Sequence, residues 1–455
     1  MGARPFNPGA GASGGGGSGP AAAKLSEFMS VWGDSRTAQN WSTSTNPTIP
    51  CPLSRGWAWW TEALSGRVRI THRYNFGVSG DNNDRLLLRM LNDTPNAAGV
   101  KPSEVPPGPA VVLIGTNSIS AGVGVATMMS QLNQIIDWLQ AHGHMVFVVA
   151  EWPRGYGSTE LASGLLPVAG QKVMYAYANE LRRLSTTRPG VHVVDPWPRL
   201  ADPTSSKCQP LVGANNVDGL HNSPANAFVT GELLANAFEK AGLRRQVFPV
   251  SSQDLWDATN PAGCQNKNPM LVLGAGGNKS TNADAASVVP EGYTLTATTG
   301  LTVLGSFVTV TTPEGAKRPA YRMRVTGTAD ASVNGPNMML RQSSMYDALK
   351  QAPGDVFEGG YEVIVSDGHK NLSAVGCSIT DGTLPTAAYG GRQLTGDVPM
   401  PASCVKGFYA TPLTNEFIMG STAQMNFEVR IYLAEAGQPT DVTVDVLGAW
   451  VRKKV

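Results

Sequence analysis

The chain has 455 residues, with 35 Lys and Arg against 34 Asp and Glu, and a formal net charge of +1. At ~100 to 200 residues per domain, this length predicts two or three domains. A charge so close to neutral provides no overall field that would attract nucleic acid or an anionic membrane, so neither is predicted as a partner. No run of about 18 apolar residues predicts a membrane span, and the first residues lack the apolar core of a secretory signal.

Residues 1–23 consist almost entirely of Gly, Ala, Pro and Ser and predict a flexible arm, because they offer too little apolar surface to offset the entropy of ordering. In residues 24–245, short apolar runs such as "AVVLIGTNS" and "MVFVVAEW" alternate with amphipathic stretches such as "ATMMSQLNQIIDWLQAHG". Strand and helix in alternation predict a parallel sheet with helices on both sides.

The second half of the chain has a different composition and a different hydrophobic pattern. Residues 246–282 are rich in Pro, Asn and Gly and are interpreted as a linker. In residues 283–455, short alternating runs such as "AYRMRVTGTA" and "TDVTVDVLGAWVRKK" are separated by turn residues. This pattern predicts an all-β domain, either an antiparallel β-sandwich or a jelly roll.

The cysteines suggest neither a metal site nor a redox motif. There are five of them, an odd number, without a C-x-x-C pair, and the sequence therefore predicts mostly reduced, buried thiols. A bridge between Cys377 and Cys404 remains the open alternative. No D-x-D-x-D loop or H-E-x-x-H helix is present, so no metal and no cofactor are predicted.

Four groups of polar or small residues follow predicted strands of the first domain or precede its last helix. They are Gly33-Asp34-Ser35, Gly77 with Gly80, Gly115 with Asn117, and Asp218 with His221. Ligands of parallel α/β sheets bind at the carboxyl ends of the strands, so these residues are expected to meet at one edge. Ser35 alone fits either a nucleophile or a helix N-cap.

The chemistry of these residue types favours the nucleophile. A serine hydroxyl needs a base within hydrogen-bond reach, usually a histidine oriented by a carboxylate, and Asp218 and His221 lie within one turn of each other. A tetrahedral intermediate also needs donors for its oxyanion, which the backbone N–H groups of Ser35 and Gly80 and the side-chain amide of Asn117 can supply.

This combination and its order resemble the SGNH (GDSL) hydrolase family, over Phe28 to about Gly242. The resemblance implies a three-layer α/β/α fold with a flavodoxin-like parallel sheet. It also implies Ser35 as nucleophile, His221 as general base, and Asp218 as its orienting group. Two departures occur. Arg36 replaces a leucine at a variable position, where little consequence is expected, and Ser118 replaces an aspartate that supports the oxyanion amide.

Other residues compete for these roles. Asp195 ends a predicted strand and is the rival orienting group, although a loop cap is the simpler interpretation. The remaining histidines have weaker contexts: they are His72, His142, His144, His192 and His369. Several tryptophans can be interpreted either as the lining of a sugar-binding cleft or as core, with core favoured for Trp59 and Trp60.

The second domain loosely resembles jelly-roll carbohydrate-binding modules, while an oligomerisation module or structural cap is the alternative. The whole architecture resembles phage tail-associated polysaccharide deacetylases, which are often trimers. It implies a protein that is made in the host cytoplasm, attaches to the virion tail and acts at the bacterial surface.

The function expected is a serine esterase that removes O-acetyl groups from a bacterial surface polysaccharide. Two alternatives stay open. One is a lipase-like or thioesterase-like enzyme with a longer acyl substrate. The other is a non-catalytic glycan-binding adhesin whose hydrolase domain is vestigial, which Ser118 makes worth considering.

Overall fold

The computed structural model describes most of the chain after residue 24. The described ranges are 25–41, 55–155, 166–206, 209–215, 218–244, 251–272, 274–280, 282–312, 315–332, 336–343, 345, 347, 351–380, 387–389, 407–410, 417–420 and 424–454. The predicted arm, residues 1–23, lies outside them, as do Cys51, Cys208 and Cys404.

Strands and helices alternate through the first half of the chain. In order, the elements are β1 (Phe28–Gly33), α1 (Ser35–Ala38), α2 (Trp57–Ser65), β2 (Arg69–Gly77), α3 (Asn83–Leu91), a 3-10 turn (Pro102–Glu104), β3 (Pro109–Leu113), α4 (Thr116–Ser120), α5 (Val125–Ala141), β4 (Met145–Val149), α6 (Val168–Thr187), β5 (Val191–Val194), α7 (Trp197–Leu200) and α8 (Pro224–Lys240).

The five strands form one parallel sheet in the order β2-β1-β3-β4-β5. This is the flavodoxin-like order, in which the chain reverses direction beside the first strand. The prediction of an α/β region with a parallel sheet is confirmed. Because the strands are parallel, the segments that follow β1, β2 and β3 emerge side by side at the same edge.

Successive side chains of each strand point to opposite faces of the sheet, and both faces are covered by helices. On one face Val111 and Leu113 of β3 share a buried core with residues of α2 and α8. On the other face Val112 and Val148 share a core with residues of α3, α5 and α6. The apolar runs that predicted the strands are therefore buried on both sides, as a parallel sheet requires.

The second half of the chain is rich in β-strands. They are β6 (Asn278–Lys279), β7 (Thr294–Ala297), β8 (Leu301–Thr311), β9 (Lys317–Thr328), β10 (Asn337–Gln342), β11 (Val356–Val365), β12 (Leu372–Thr380), β13 (Ala387–Tyr389), β14 (Gly407–Ala410), β15 (Phe417–Ile418), β16 (Asn426–Leu433) and β17 (Pro439–Lys453). They form two sheets, with the orders β13-β12-β16-β10-β7-β6 and β14-β11-β17-β9-β8, and β15 pairs with β11.

The two sheets of this region share one apolar core. Leu340 and Val429 from the first sheet and Val363 and Val444 from the second are fully buried in the same cluster. The β-rich second region is thus confirmed, while the jelly-roll connectivity stays a prediction. Cys264 and Cys377 are buried in this half of the molecule, and burial raises the pKa of the Cys264 thiol to about 11. The predicted alternative bridge from Cys377 involves Cys404, outside the described residues.

The two halves of the chain are in direct contact. Arg69 at the start of β2 donates through Nη2 to the Glu358 carboxylate of β11 at 2.7 Å, and both side chains are largely buried. The residues between the halves also pack on the second sheet, because the backbone N–H of Gln265 donates to the Val451 carbonyl at 2.7 Å. The edge strand of the parallel sheet is therefore tied to the β-rich region.

The α5 core contact leads to a stability prediction. Leu132 of α5 is 0% exposed, whereas Leu88 of α3 is 52% exposed. Leu132→Ala should lower the free energy of unfolding by about 2–5 kcal/mol, because it removes apolar burial and leaves a cavity. The matched surface variant Leu88→Ala should change it by less than about 0.5 kcal/mol. Urea denaturation of both variants measures the free energy of unfolding. An equal loss in the two variants would contradict the burial of Leu132 in the core between α5 and the sheet.

Candidate active site

Ser35 lies at the carboxyl end of β1, as the first residue of α1. The N-cap of that short helix is Asp34, whose Oδ1 accepts from the backbone N–H of Arg36 at 2.9 Å. The cap interpretation of Ser35 is therefore wrong, because the neighbouring carboxylate already fills that role. Gly33 permits this turn, since a Cβ there would lie 2.0 Å from the Leu113 carbonyl oxygen of β3.

The side chains of Ser35, His221 and Asp218 form a continuous hydrogen-bonded chain. Ser35 Oγ lies 2.9 Å from His221 Nε2, and His221 Nδ1 lies 2.6 Å from Asp218 Oδ2. An ionised carboxylate only accepts hydrogen bonds, so this network assigns the ring proton to Nδ1 and leaves Nε2 as the acceptor for the serine hydroxyl. An imidazole held in this way can take the proton of the serine as its oxygen attacks a carbonyl carbon.

The surroundings of Asp218 keep its carboxylate ionised. Burial alone would raise the pKa of Asp218, but hydrogen bonds from the His221 ring and from the backbone N–H groups of His221 and Leu220 outweigh it. The pKa therefore lies well below its usual range. One carboxylate oxygen caps the turn while the other faces the imidazole, so a single side chain fixes both the turn and the ring.

A second group of charges, which the sequence analysis missed, includes both sequence neighbours of Ser35. The Arg36 guanidinium makes two hydrogen bonds to Asp34, at 3.1 and 2.8 Å, and two to Glu151, at 2.8 and 2.7 Å. All three side chains are 0% exposed. We call Asp34, Arg36 and Glu151 the buried ion cluster. Position 36 was expected to matter little, but here it joins β1 to the residues after β4.

Electrostatics and packing both retain the charge on Arg36. Burial by itself lowers the pKa of the guanidinium, yet the carboxylates of Asp34 and Glu151 outweigh this and raise it above its ordinary value. The indole ring of Trp152 lies under the cation, 4.8 Å from centroid to Cζ, and the Trp57 indole N–H donates to the Arg36 carbonyl at 3.1 Å. The one signal in the sequence was an acidic residue, Glu151, placed straight after the apolar run of β4.

The loop that carries Gly80 is fixed from both sides. Its Val78 N–H donates to the Gly33 carbonyl at 3.0 Å, which places the loop beside the Ser35 turn. Gly80 has φ +84°, a left-handed conformation that favours glycine. Two nitrogens of Arg89 in α3 donate to Asp81 Oδ2, at 2.9 and 2.6 Å. Burial raises the pKa of Asp81 although Arg89 opposes that shift.

Asn117 lies beside this loop, at the start of α4. Its Nδ2 donates one hydrogen bond to the Asp81 carbonyl at 2.8 Å, which orients the amide and leaves its second N–H available. The next residue, Ser118, is buried, and its hydroxyl accepts from the Asn83 backbone N–H at 3.0 Å and donates to Asn83 Oδ1 at 2.7 Å. The serine that replaces the expected aspartate thus still ties α4 to α3.

The competing residues have other partners. The Asp195 carboxylate accepts from Arg182 Nε at 2.7 Å and from the Trp197 backbone N–H at 3.1 Å, so it forms an ion pair and a loop cap. The predicted core tryptophans, Trp59 and Trp60, are each 1% exposed. Trp57 and Trp152 are 0% exposed, so these four indoles line no open cleft.

The described residues contain neither a candidate metal cluster nor a candidate membrane span. In those ranges no group of three or more His, Cys, Asp and Glu side chains is placed to hold a metal ion. Of the helices described, none has the length and apolar character needed to cross a membrane.

A parallel sheet with a serine, a histidine and an aspartate joined by hydrogen bonds at its carboxyl edge is typical of hydrolases. Residues 31–225, which contain all of these groups, match the model of the GDSL-like Lipase/Acylhydrolase family. This part of the chain is therefore similar to the lipases and acylhydrolases of that family. No curated protein matches the chain.

The chain is also similar to solved structures. A GDSL-like lipase from Bacteroides thetaiotaomicron is 15% identical over 47% of this chain and 89% of that one, with a TM-score of 0.32. A carbohydrate acetylesterase family member from Sinorhizobium meliloti is 14% identical over 47% and 97%, with a TM-score of 0.33. A carbohydrate acetylesterase from the same organism is 17% identical over 49% and 100%, with a TM-score of 0.32. Each likeness spans about half of this chain.

The buried ion cluster predicts a large stability effect. Arg36→Leu should lower the free energy of unfolding by about 3–5 kcal/mol, because Asp34 and Glu151 would remain buried without a counter-charge. Arg183→Leu is the control, since Arg183 is 69% exposed in its pair with Glu180 and should contribute less than about 1 kcal/mol. Urea unfolding at neutral pH measures both. A loss below about 1 kcal/mol for Arg36→Leu would contradict the role of the cluster.

Proposed function

We propose that this chain is a serine esterase in which Ser35 is the nucleophile, His221 the general base and then acid, and Asp218 the group that orients His221. The observation that carries the proposal is the continuous hydrogen-bonded chain from Ser35 Oγ through the imidazole to Asp218, at 2.9 and 2.6 Å. A serine outside such a chain is a poor nucleophile at neutral pH.

In the first half of the proposed reaction, Ser35 Oγ attacks the ester carbonyl carbon while its proton passes to His221 Nε2. The tetrahedral intermediate collapses, the bond to the alcohol breaks, and His221 returns the proton to the leaving oxygen. Water then attacks the acyl-serine, again giving a proton to His221, and the second collapse releases the carboxylic acid and restores the Ser35 hydroxyl. Asp218 stays ionised throughout and stabilises the imidazolium.

The oxyanion is proposed to bind the backbone N–H groups of Ser35 and Gly80 and the second side-chain N–H of Asn117. Within the part of the chain that the structure describes, neither backbone N–H donates to another protein group. Both are therefore available donors, and the Asn117 amide is already oriented by Asp81. Donors fixed before reaction stabilise the developing charge without reorganisation, and each contributes roughly 10²- to 10³-fold in rate.

For the substrate we propose a small acyl ester, specifically an O-acetyl group on a bacterial surface polysaccharide. Two features support a polymeric substrate. The Asp218 and His221 side chains are 36% and 17% exposed, so this pair is open to solvent at the sheet edge, while Ser35 beside it is 7% exposed. The hydrolase region also continues into a β-rich region, an architecture that resembles phage tail-associated deacetylases. On the same resemblance we propose attachment to a virion tail, as a homotrimer, with action at the bacterial surface.

The catalytic assignment predicts the effect of removing each group. Ser35→Ala should abolish hydrolysis of 4-nitrophenyl acetate, a loss of at least about 10³-fold, without lowering the melting temperature. Asp218→Asn should lower kcat by about 10⁴-fold, because an amide favours the wrong imidazole tautomer. Asp195→Asn serves as the control, since that carboxylate faces Arg182, and should retain most activity. Full activity of Ser35→Ala would refute the assignment.

The substrate assignment predicts a preference for short acyl chains and the release of acetate. Across acetyl, butyryl, octanoyl and palmitoyl esters of 4-nitrophenol, kcat/KM should be highest for acetyl or butyryl. Incubation with acetylated bacterial polysaccharides should convert the bound acetyl signal in proton NMR into free acetate. A preference for chains beyond butyryl would favour a lipase-like or thioesterase-like enzyme. Tight glycan binding without acetate release would favour the adhesin.

A further inference from the structure

The segment that follows β4 lies between the two halves of the active site. Arg154 in this segment is 7% exposed, and its Nη1 donates to the Thr116 carbonyl at 3.3 Å and to Ser120 Oγ at 2.6 Å. Both acceptors belong to α4 and flank Asn117, one at the start and one at the end of the helix. Arg154 therefore contacts the helix that presents the oxyanion amide.

The same segment is hydrogen-bonded to the turn that carries the base. The Gly155 N–H donates to the carbonyl of Gly219, which lies between Asp218 and His221, at 2.7 Å. Asn215 Nδ2 connects these two segments, because it donates to the Pro153 carbonyl at 2.9 Å and to the Gly219 carbonyl at 3.2 Å. One short piece of backbone thus connects α4 with the Asp218–His221 turn.

Helix α4 needs an anchor of this kind. It has five residues, Thr116–Ser120, and an isolated helix this short is not stable in water. The direction of the Asn117 amide therefore depends on its own hydrogen bond to Asp81 and on the contacts that hold α4 in place, which include Ser118 with Asn83 and Arg154 with Ser120.

An arginine is a costly group to bury for packing alone. Burial lowers the pKa of Arg154, and the nearby charge of Arg36 lowers it further, while Glu151 and Asp34 oppose the shift. A guanidinium kept here despite that cost gives directional hydrogen bonds that an apolar side chain of similar size does not.

We propose that Arg154 is a positioning residue, which holds Asn117 in register with His221 by bridging α4 to the Asp218–His221 turn. This inference rests on the proposed esterase function. Arg154 acts through Asn117 and does not itself touch the reacting atoms. Its loss should displace a donor whose hydrogen bond is strongest in the transition state, so kcat should fall while KM changes little.

The test is a double-mutant cycle on 4-nitrophenyl acetate. Arg154→Met should lower kcat by about 10- to 100-fold with KM within about twofold of the parent. In the Asn117→Ala background the same substitution should lower kcat by less than about twofold, because the amide it positions is gone. Arg154→Lys keeps one donor for Ser120 and should restore part of the loss. Arg182→Met, which removes an arginine paired with Asp195, is the control and should leave kcat unchanged.

The outcomes separate this inference from the proposed function. Activity in Ser35→Ala would refute the esterase assignment itself. With Ser35→Ala inactive, an equal loss from Arg154→Met in both backgrounds, or a loss confined to KM, would overturn the positioning role alone. If Arg154→Met does not fold, Ser120→Ala replaces it in the cycle, since it removes the acceptor at 2.6 Å and keeps Arg154. The Ser120 hydroxyl also donates to the Thr116 carbonyl at 3.1 Å, and this variant loses that hydrogen bond as well. A several-fold fall in kcat that disappears in Asn117→Ala supports the inference, and an additive fall refutes it.

Discussion

The geometry of the site depends on the buried ion cluster of Asp34, Arg36 and Glu151. Two of its members flank Ser35 in sequence, and the third follows β4. Of the four charge-assisted hydrogen bonds, the two between Arg36 and Glu151 connect these two strand ends, and the two between Arg36 and Asp34 fix the guanidinium beside Ser35. Breaking such a cluster leaves charges without solvent or partner, which is more costly than losing an exposed pair. Other conformations of the turn that carries Ser35 would break this cluster and are therefore energetically unfavourable. The position of the serine is thus fixed independently of His221.

Two separate sets of contacts hold the polar groups around Ser35 in place. Gly80 and Asn117 are joined through Asp81, and Arg89 and Asn83 connect both to α3. Asp218 and His221 are fixed by their own turn. These two sets of contacts meet at the sheet edge because β2, β1 and β3 are adjacent and parallel. Pairing of the parallel strands thus brings residues that are distant in sequence together, and the loops do not have to contact one another beforehand.

Much of this could be predicted from the sequence, and the reasons for the rest are physical. Apolar runs and helical periodicity located β1 to β5 and the long helices, since burial on both faces leaves a clear pattern. Ser35, Asp218 and His221 were identified because their chemistry depends on residue type and order. Arg36 and Glu151 were not identified as partners, because they are 115 residues apart and a lone arginine or glutamate carries no sign of its counter-charge. The same holds for Ser118 and Asn83, whose pairing appears only once α3 and α4 are docked.

The sequence spacing of Ser35, Asp218 and His221 bears on when their hydrogen-bonded chain can form during folding. Asp218 and His221 are three residues apart and can meet within a local turn, whereas Ser35 is 186 residues from the imidazole. The local pair forms with little loss of chain entropy, but the serine is brought to it only by closure of the parallel sheet. A partly folded chain can therefore contain the imidazole–carboxylate pair without the neighbouring hydroxyl, and under the proposed mechanism Ser35 is not activated before the sheet has closed.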